Sequence, residues 1–186
     1  LQIDPRFNGP PCSGNGGYTC GLIGQHIEGP ALVRLRVPPP LNTAMDLRQD
    51  TEGLALFDGD AIVATAKSAV VSIDVPSAPG FEEAKKASQR YRGFVSHFYP
   101  GCFVCGPKRD QGDGLRIFAG PVDSGFGPEG MVASAWVPDD SLTDSSGFVA
   151  AEFIWAALDC PGAFSFPEPE NDAILLGELA VSISGK

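Results

Sequence analysis

The run from Phe148 to Leu158, FVAAEFIWAAL, constrains the fold most, because as a helix it is apolar on every side except for Glu152. A helix with no polar face has to be covered all round. The rest of the chain must therefore wrap it, and it carries little material for long helices. Glycine (23) and proline (17) are frequent among the 186 residues, which favours short elements joined by turns. Hydrophobic residues make up 43%, enough for a core and incompatible with wholesale disorder. The length suits one large domain or two small ones sharing an interface. The expectation is an α+β protein in which strands wrap a central helix.

Charge and cysteine usage narrow the partners. A formal net charge of -10 repels phosphate backbones, so nucleic acid is excluded as a partner class. No apolar run is long enough to span a bilayer, and no signal-peptide pattern opens the chain. The five cysteines are odd in number and scattered, unlike a secreted disulfide framework, so the expected compartment is the reducing cytoplasm.

Along the chain, Phe7 to Gly17 reads as an ordered loop, with Ser13 and Asn15 as N-caps for a short helix from Tyr18 to Ile27. Gly21 and Gly24 cost that helix stability and make sense where another backbone packs very close. Ala31 to Val37 alternates as a strand and stops at Pro38, Pro39 and Pro40. Ala44 to Gln49 is a second strand. Leu54 to Phe57 and Ala61 to Val71 form a hairpin through Asp58-Gly59, read as a type I′ turn. Phe81 to Tyr91 is a polar surface helix. Leu115 to Ala119, Met131 to Val137 and Ile174 to Ile183 read as strands. Asp144 to Gly147 is a cap-like turn before the apolar helix, and Asp159-Cys160-Pro161-Gly162 stops that helix. The halves share a pattern of glycine-rich turn, aromatic residue and short helix (Gly17-Tyr18, Gly147-Phe148). This suggests units at 1–76 and 102–186, joined by a linker with a surface helix at 77–101.

Two segments carry a resemblance. Asn15-Gly16-Gly17-Tyr18 at a helix start, before an alternating strand, resembles the His-Gly-Gly segment of hotdog-fold acyl-CoA thioesterases. Phe153 to Asp159 resembles the central helix of that superfamily, where an acidic residue often serves catalysis. The resemblance implies a hotdog fold, an antiparallel sheet wrapped around a central helix, with two hotdog-like halves in one chain. It also implies an acyl-CoA thioester as small-molecule substrate, no further cofactor, active sites between units, and pairing of two chains into a homodimer as a further expectation. Asn15 departs from the family's histidine. The second unit lacks about three family strands after Ile183, so it reads as incomplete at its C-terminus.

Thioester hydrolysis needs an oxyanion donor and an activated water or nucleophile. Unpaired amides at a helix start supply the first, and glycines let a ligand approach them. Gly16 and Gly17 are thus candidate oxyanion donors, with Asn15 orienting ligand or loop. The competing account is a tight turn into a closely packed helix. Asp159 is the candidate base or nucleophile, at the end of a buried helix where burial and the dipole both raise its pKa. Against this stands its ordinary use as a turn initiator before Cys-Pro-Gly. Glu152, seven residues earlier, falls on nearly the same face. Tyr18, Gly147, Phe148, Glu152 and Trp155 are candidate substrate contacts. Cys102 and Cys105 form a CxxC, half of a zinc site or two small half-buried side chains at a turn. His26 and His97 are read as structural. Arg34 and Arg36, or Lys108, Arg109 and Arg116, could meet CoA phosphates or be solvated. A hotdog that binds acyl-CoA or lipid without turnover is the alternative function. Hydration or dehydration of an acyl thioester ranks last, because no Asp/His or His/Glu pair is legible.

Overall fold

The computed structural model describes residues 1–49, 51–123, 130–167 and 172–184. Among them the chain is a mixed α+β protein with three α-helices, α1 (Gly16–Gly24), α2 (Phe81–Ser88) and α3 (Ala151–Ser165). Its strands are β1 (Ala31–Leu35), β2 (Asp46–Gln49), β3 (Leu54–Asp58), β4 (Ala61–Ser68), β5 (Gly120–Pro121), β6 (Val132–Ala133) and β7 (Glu178–Val181). Five of them form an antiparallel sheet in the order β2-β3-β4-β1-β7, while β5 and β6 pair separately. The sheet takes β7 from the far end of the chain, where Ala31 faces Val181 and Arg34 faces Glu178.

The strands follow from alternation. Ala31 and Val33 are buried on β1 while Arg34 is exposed and pairs with Glu178 at 2.6 Å. The β3–β4 hairpin closes on the Asp58–Ala61 pair, so its two-residue loop is Gly59-Asp60 and not Asp58-Gly59. Only Gly59 has positive φ (58°), which fits type II′ and replaces the expected type I′. The register slips between Leu56 and Phe57, and the extra residue opposite is Val63. Its carbonyl accepts from Arg36 N at 2.8 Å, which fixes the chain just past β1.

The helices carry the main differences from expectation. The more enclosed helix is α1, with Tyr18, Thr19, Cys20 and Ile23 all buried. It packs on β1, β4 and α3. By contrast α3 is not covered all round, since Leu158 is 51% exposed. The helix also continues through Pro161 to Ser165 instead of stopping at Asp159–Gly162. Its last turn is held from outside: Arg92 donates to the carbonyls of Ala163 and Phe166, and Tyr91 packs on Phe164 with ring centroids 4.5 Å apart. The Asp144–Gly147 turn forms, but the N-cap is Ala150, with no side-chain cap. Leu115 to Ala119 is not a strand, because Leu115 N and Ile117 N donate to Phe103 O and Val104 O in a turn. From Met131 to Val137 only β6 pairs. Of Ile174 to Ile183 only β7 does.

α1 and α3 lie antiparallel and very close. A Cβ on Gly17 would stand 2.6 Å from Trp155 O, one on Gly21 2.5 Å from Glu152 Cα, and one on Gly24 2.7 Å from the Trp155 ring. Glycine at 17, 21 and 24 makes one stripe along the helix. This is the close backbone approach that Gly21 and Gly24 implied. Beside it, Phe7, Tyr18, Phe103 and Phe153 form one aromatic cluster, with Phe7 stacked on Tyr18 at 4.2 Å.

Candidate functional site

The loop before α1 is pinned on several sides. Gly9 N donates to Ser13 O, Gly14 N to Pro39 O and Asn15 N to Phe7 O. Asn15 is then the N-cap, its Oδ1 accepting from Tyr18 N at 2.9 Å. Because the glycine stripe lets α3 approach, Asp159 reaches the same helix start. Its Oδ2 accepts from Gly17 N at 2.9 Å and from Asn15 Nδ2 at 3.0 Å. A helix start carries unpaired amides and partial positive charge, so it suits a carboxylate.

Asp159 lies within α3, six residues before its end, so the carboxyl-terminal dipole invoked from sequence does not act on it. Its pKa is nonetheless raised to about 6. Burial is the main cause. The Gly17 bond opposes it, the nearby Cys102 sulfur adds to it, and the Asn15 bond opposes it again.

These groups border a cavity of about 590 Å³, lined mainly by apolar atoms. Gly16, Asn15 and Asp159 face it, together with the end of β1 (Leu35, Arg36), the segment Ser96–Tyr99, and Ile174–Leu176. The Gly17 amide is taken by Asp159. Gly16 N makes no hydrogen bond among the described residues, and Gly16 lines the cavity.

Cys102, Cys105 and Cys160 line the same cavity. Asn15 Nδ2 lies 4.0 Å from Cys102 Sγ. The Cys102 thiol is pushed down because Cys105 and then Cys160 donate to its sulfur; the Cys160 thiol is pushed up in consequence. His97 borders them, its Nε2 3.4 Å from Cys105 Sγ and its pKa lowered by burial.

Other residues singled out from sequence lie elsewhere. Tyr18 is buried in the aromatic cluster, and its hydroxyl is pushed up to about 12, chiefly by burial. Trp155 is buried against Gly21 and Gly24, and Glu152 stands beside Gly21. Gly147 and Phe148 are exposed. None of these five lines the cavity. Arg34 is paired with Glu178, Arg109 with Asp113 at 2.7 Å, and Arg116 with the Arg109 carbonyl. Lys108 lies by a separate shallow pocket, whereas Arg36 is on the main cavity. His26 is also away from it. His97 lies five residues before Cys102 in sequence, whereas Cys160 gains its place only through folding. Cys160 is 58 residues from Cys102, with no spacing rule linking it to the CxxC.

The fold and site thus define an α+β protein with a carboxylate seated on a helix start beside an apolar cavity. No protein-family model, curated protein or solved structure matches the chain.

Proposed function

We propose that this chain is a hotdog-type thioesterase that hydrolyses an acyl-CoA thioester, with Asp159 as general base or nucleophile. The observation that carries this is the seating of Asp159 on Gly17 N and Asn15 Nδ2 at the wall of the apolar cavity. An acyl chain fits such a lining, and the carboxylate stands where the thioester carbon would meet it. As base, Asp159 takes a proton from water while the oxygen attacks the carbonyl carbon. The carbonyl electron pair moves to oxygen, where Gly16 N–H receives it. Collapse then breaks the C–S bond and the CoA thiolate leaves, taking up a proton. Arg36 is the cavity's free cation for a CoA phosphate among the described residues. The enclosure of α1 by β1, β4 and α3 supports the hotdog assignment. All five cysteines are free, which supports a reducing, cytoplasmic setting. No helix among the described residues is long and apolar enough to cross a membrane.

The test is release of free CoA, separated by chromatography, from acyl-CoAs of graded chain length. Wild type should turn over at least one of them, and Asp159→Asn should be slower by about 10²–10⁴-fold. Tight binding without release by wild type would transfer the assignment to a non-catalytic acyl-CoA-binding protein. Equal release by both proteins would remove Asp159 from the chemistry.

A further inference from the structure

Beside the carboxylate, three sulfurs converge from two chain segments. Cys102 and Cys105 come from one turn and Cys160 from α3. Their Sγ atoms lie within 4.8 Å of one another, and Cys102 and Cys160 are 3.9 Å apart. Zn–S bonds of about 2.3 Å in a tetrahedron place ligand sulfurs about 3.8 Å apart. One pair is therefore already at ligand spacing, and the third sulfur needs to move by no more than about 1 Å.

The turn is shaped for this. Gly106 N donates to Cys102 O at 2.9 Å, and a Cβ at Gly106 would stand 2.5 Å from that carbonyl, so the chain closes on itself more tightly than a side chain allows. His97 adds to this. Its Nδ1 accepts from Tyr99 N at 2.9 Å, so the neutral ring carries its proton on Nε2 and turns it toward Cys105 Sγ. His97 thus supports a sulfur as a donor and is not itself a ligand in this arrangement.

We propose that Cys102, Cys105 and Cys160 bind one zinc ion as thiolates, with its fourth position facing the cavity. Three soft thiolates select zinc over hard cations such as magnesium or calcium. An open fourth position is the arrangement that leaves a metal able to take water or a ligand. The site would also clamp the 102–105 turn to α3. It does not depend on the thioester assignment: metal content and CoA release are separate readouts, and either can fail alone.

The experiment is elemental analysis of the full chain, purified without chelator or metal resin, followed by cobalt substitution of the reduced protein. Wild type should carry about one zinc per chain. Cobalt should give the intense near-ultraviolet thiolate-to-metal absorption and the visible bands of a tetrahedral ion. Cys105→Ser and Cys160→Ser should each weaken zinc binding by at least about tenfold, since even outer partners of a metal site are worth that much. Cys12→Ser, outside the cluster, should leave the zinc content unchanged. Should Cys160→Ser not fold, Cys105→Ser and the wild-type cobalt spectrum still decide. Wild type without zinc, whose reduced form shows no thiolate–cobalt absorption, would overturn the proposal. So would metal content unaffected by loss of Cys105.

Discussion

Gly21→Ala should destabilise this protein, although alanine is the better helix former. The added Cβ would lie 2.5 Å from Glu152 Cα, 2.9 Å from Trp155 Cβ and 3.1 Å from Glu152 Cβ. Carbon atoms rest about 3.5–4.0 Å apart, so the start of α3 must retreat by about 1 Å. All three atoms are a backbone atom or first side-chain carbons of α3, and none can swing away. Overpacking of this kind costs about 1–3 kcal/mol. Alanine returns about 1 kcal/mol in helix propensity. The net loss is up to about 2 kcal/mol, which for a chain of this size lowers Tm by up to roughly 8 °C. Gly162→Ala is the matched control. It also sits inside a helix, but a Cβ there meets nothing within 4 Å. Only the propensity remains, so Gly162→Ala should raise stability by up to about 1 kcal/mol. Thermal melts followed by circular dichroism would show the two variants on opposite sides of wild type. A Gly21→Ala protein melting at or above wild type would refute the close packing of α1 on α3, and with it the route by which Asp159 reaches α1.

Two further predictions concern the site. Asn15→Ala removes the N-cap of α1 and should cost about 1 kcal/mol in thermal or denaturant unfolding. It also frees Asp159 from one of its two donors, so CoA release should fall on the order of tenfold or more. Asn15→Gly, which is tolerated at an N-cap, has no side-chain donor, so it should recover most of the stability and little of the activity; parallel recovery of both would reduce Asn15 to a cap. Ala163→Phe fills part of the cavity wall and should shift kcat/KM toward shorter acyl chains. An unchanged chain-length profile would show that the acyl chain lies elsewhere.

Local chemistry was legible in the sequence; placement was not. Asn15 is readable as a cap because its side chain bonds an amide three residues on. β1 to β4 are readable because alternation and turn residues act over short range. Pro161 misled for the opposite reason. Its missing N–H and its clash with the preceding turn are local costs, whereas the turn beyond it is held by Arg92, a residue 71 positions away from Ala163. The 115–119 segment misled likewise. It has the apolar composition of a strand, and its Leu115, Ile117 and Phe118 side chains are buried, but its amides are used by the cysteine turn. The apolar helix was expected at the centre. The stripe of glycines instead let α3 close on α1, which takes the enclosed place between α3 and the sheet.

The same glycines account for the site more fully than the Asn-Gly-Gly turn does. At Gly17 a Cβ would stand 2.7 Å from Asp159 Cβ and 2.9 Å from Ala156 Cα. With any side chain at 17, α3 would be displaced and the 2.9 Å bond from Gly17 N to Asp159 lost. Gly16 differs in kind: a Cβ there would meet Leu176 and Asp159 Oδ2, both on the cavity side. One glycine therefore sets the distance between the helices, while its neighbour keeps the approach to the carboxylate open. A helix needing only a tight entry turn requires neither. Two more such positions, at 21 and 24 on the same face as 17, are what a helix requires when the partner must come within backbone contact. That contact is what carries Asp159 and Cys160, adjacent on α3, to the start of α1 and to Cys102 together.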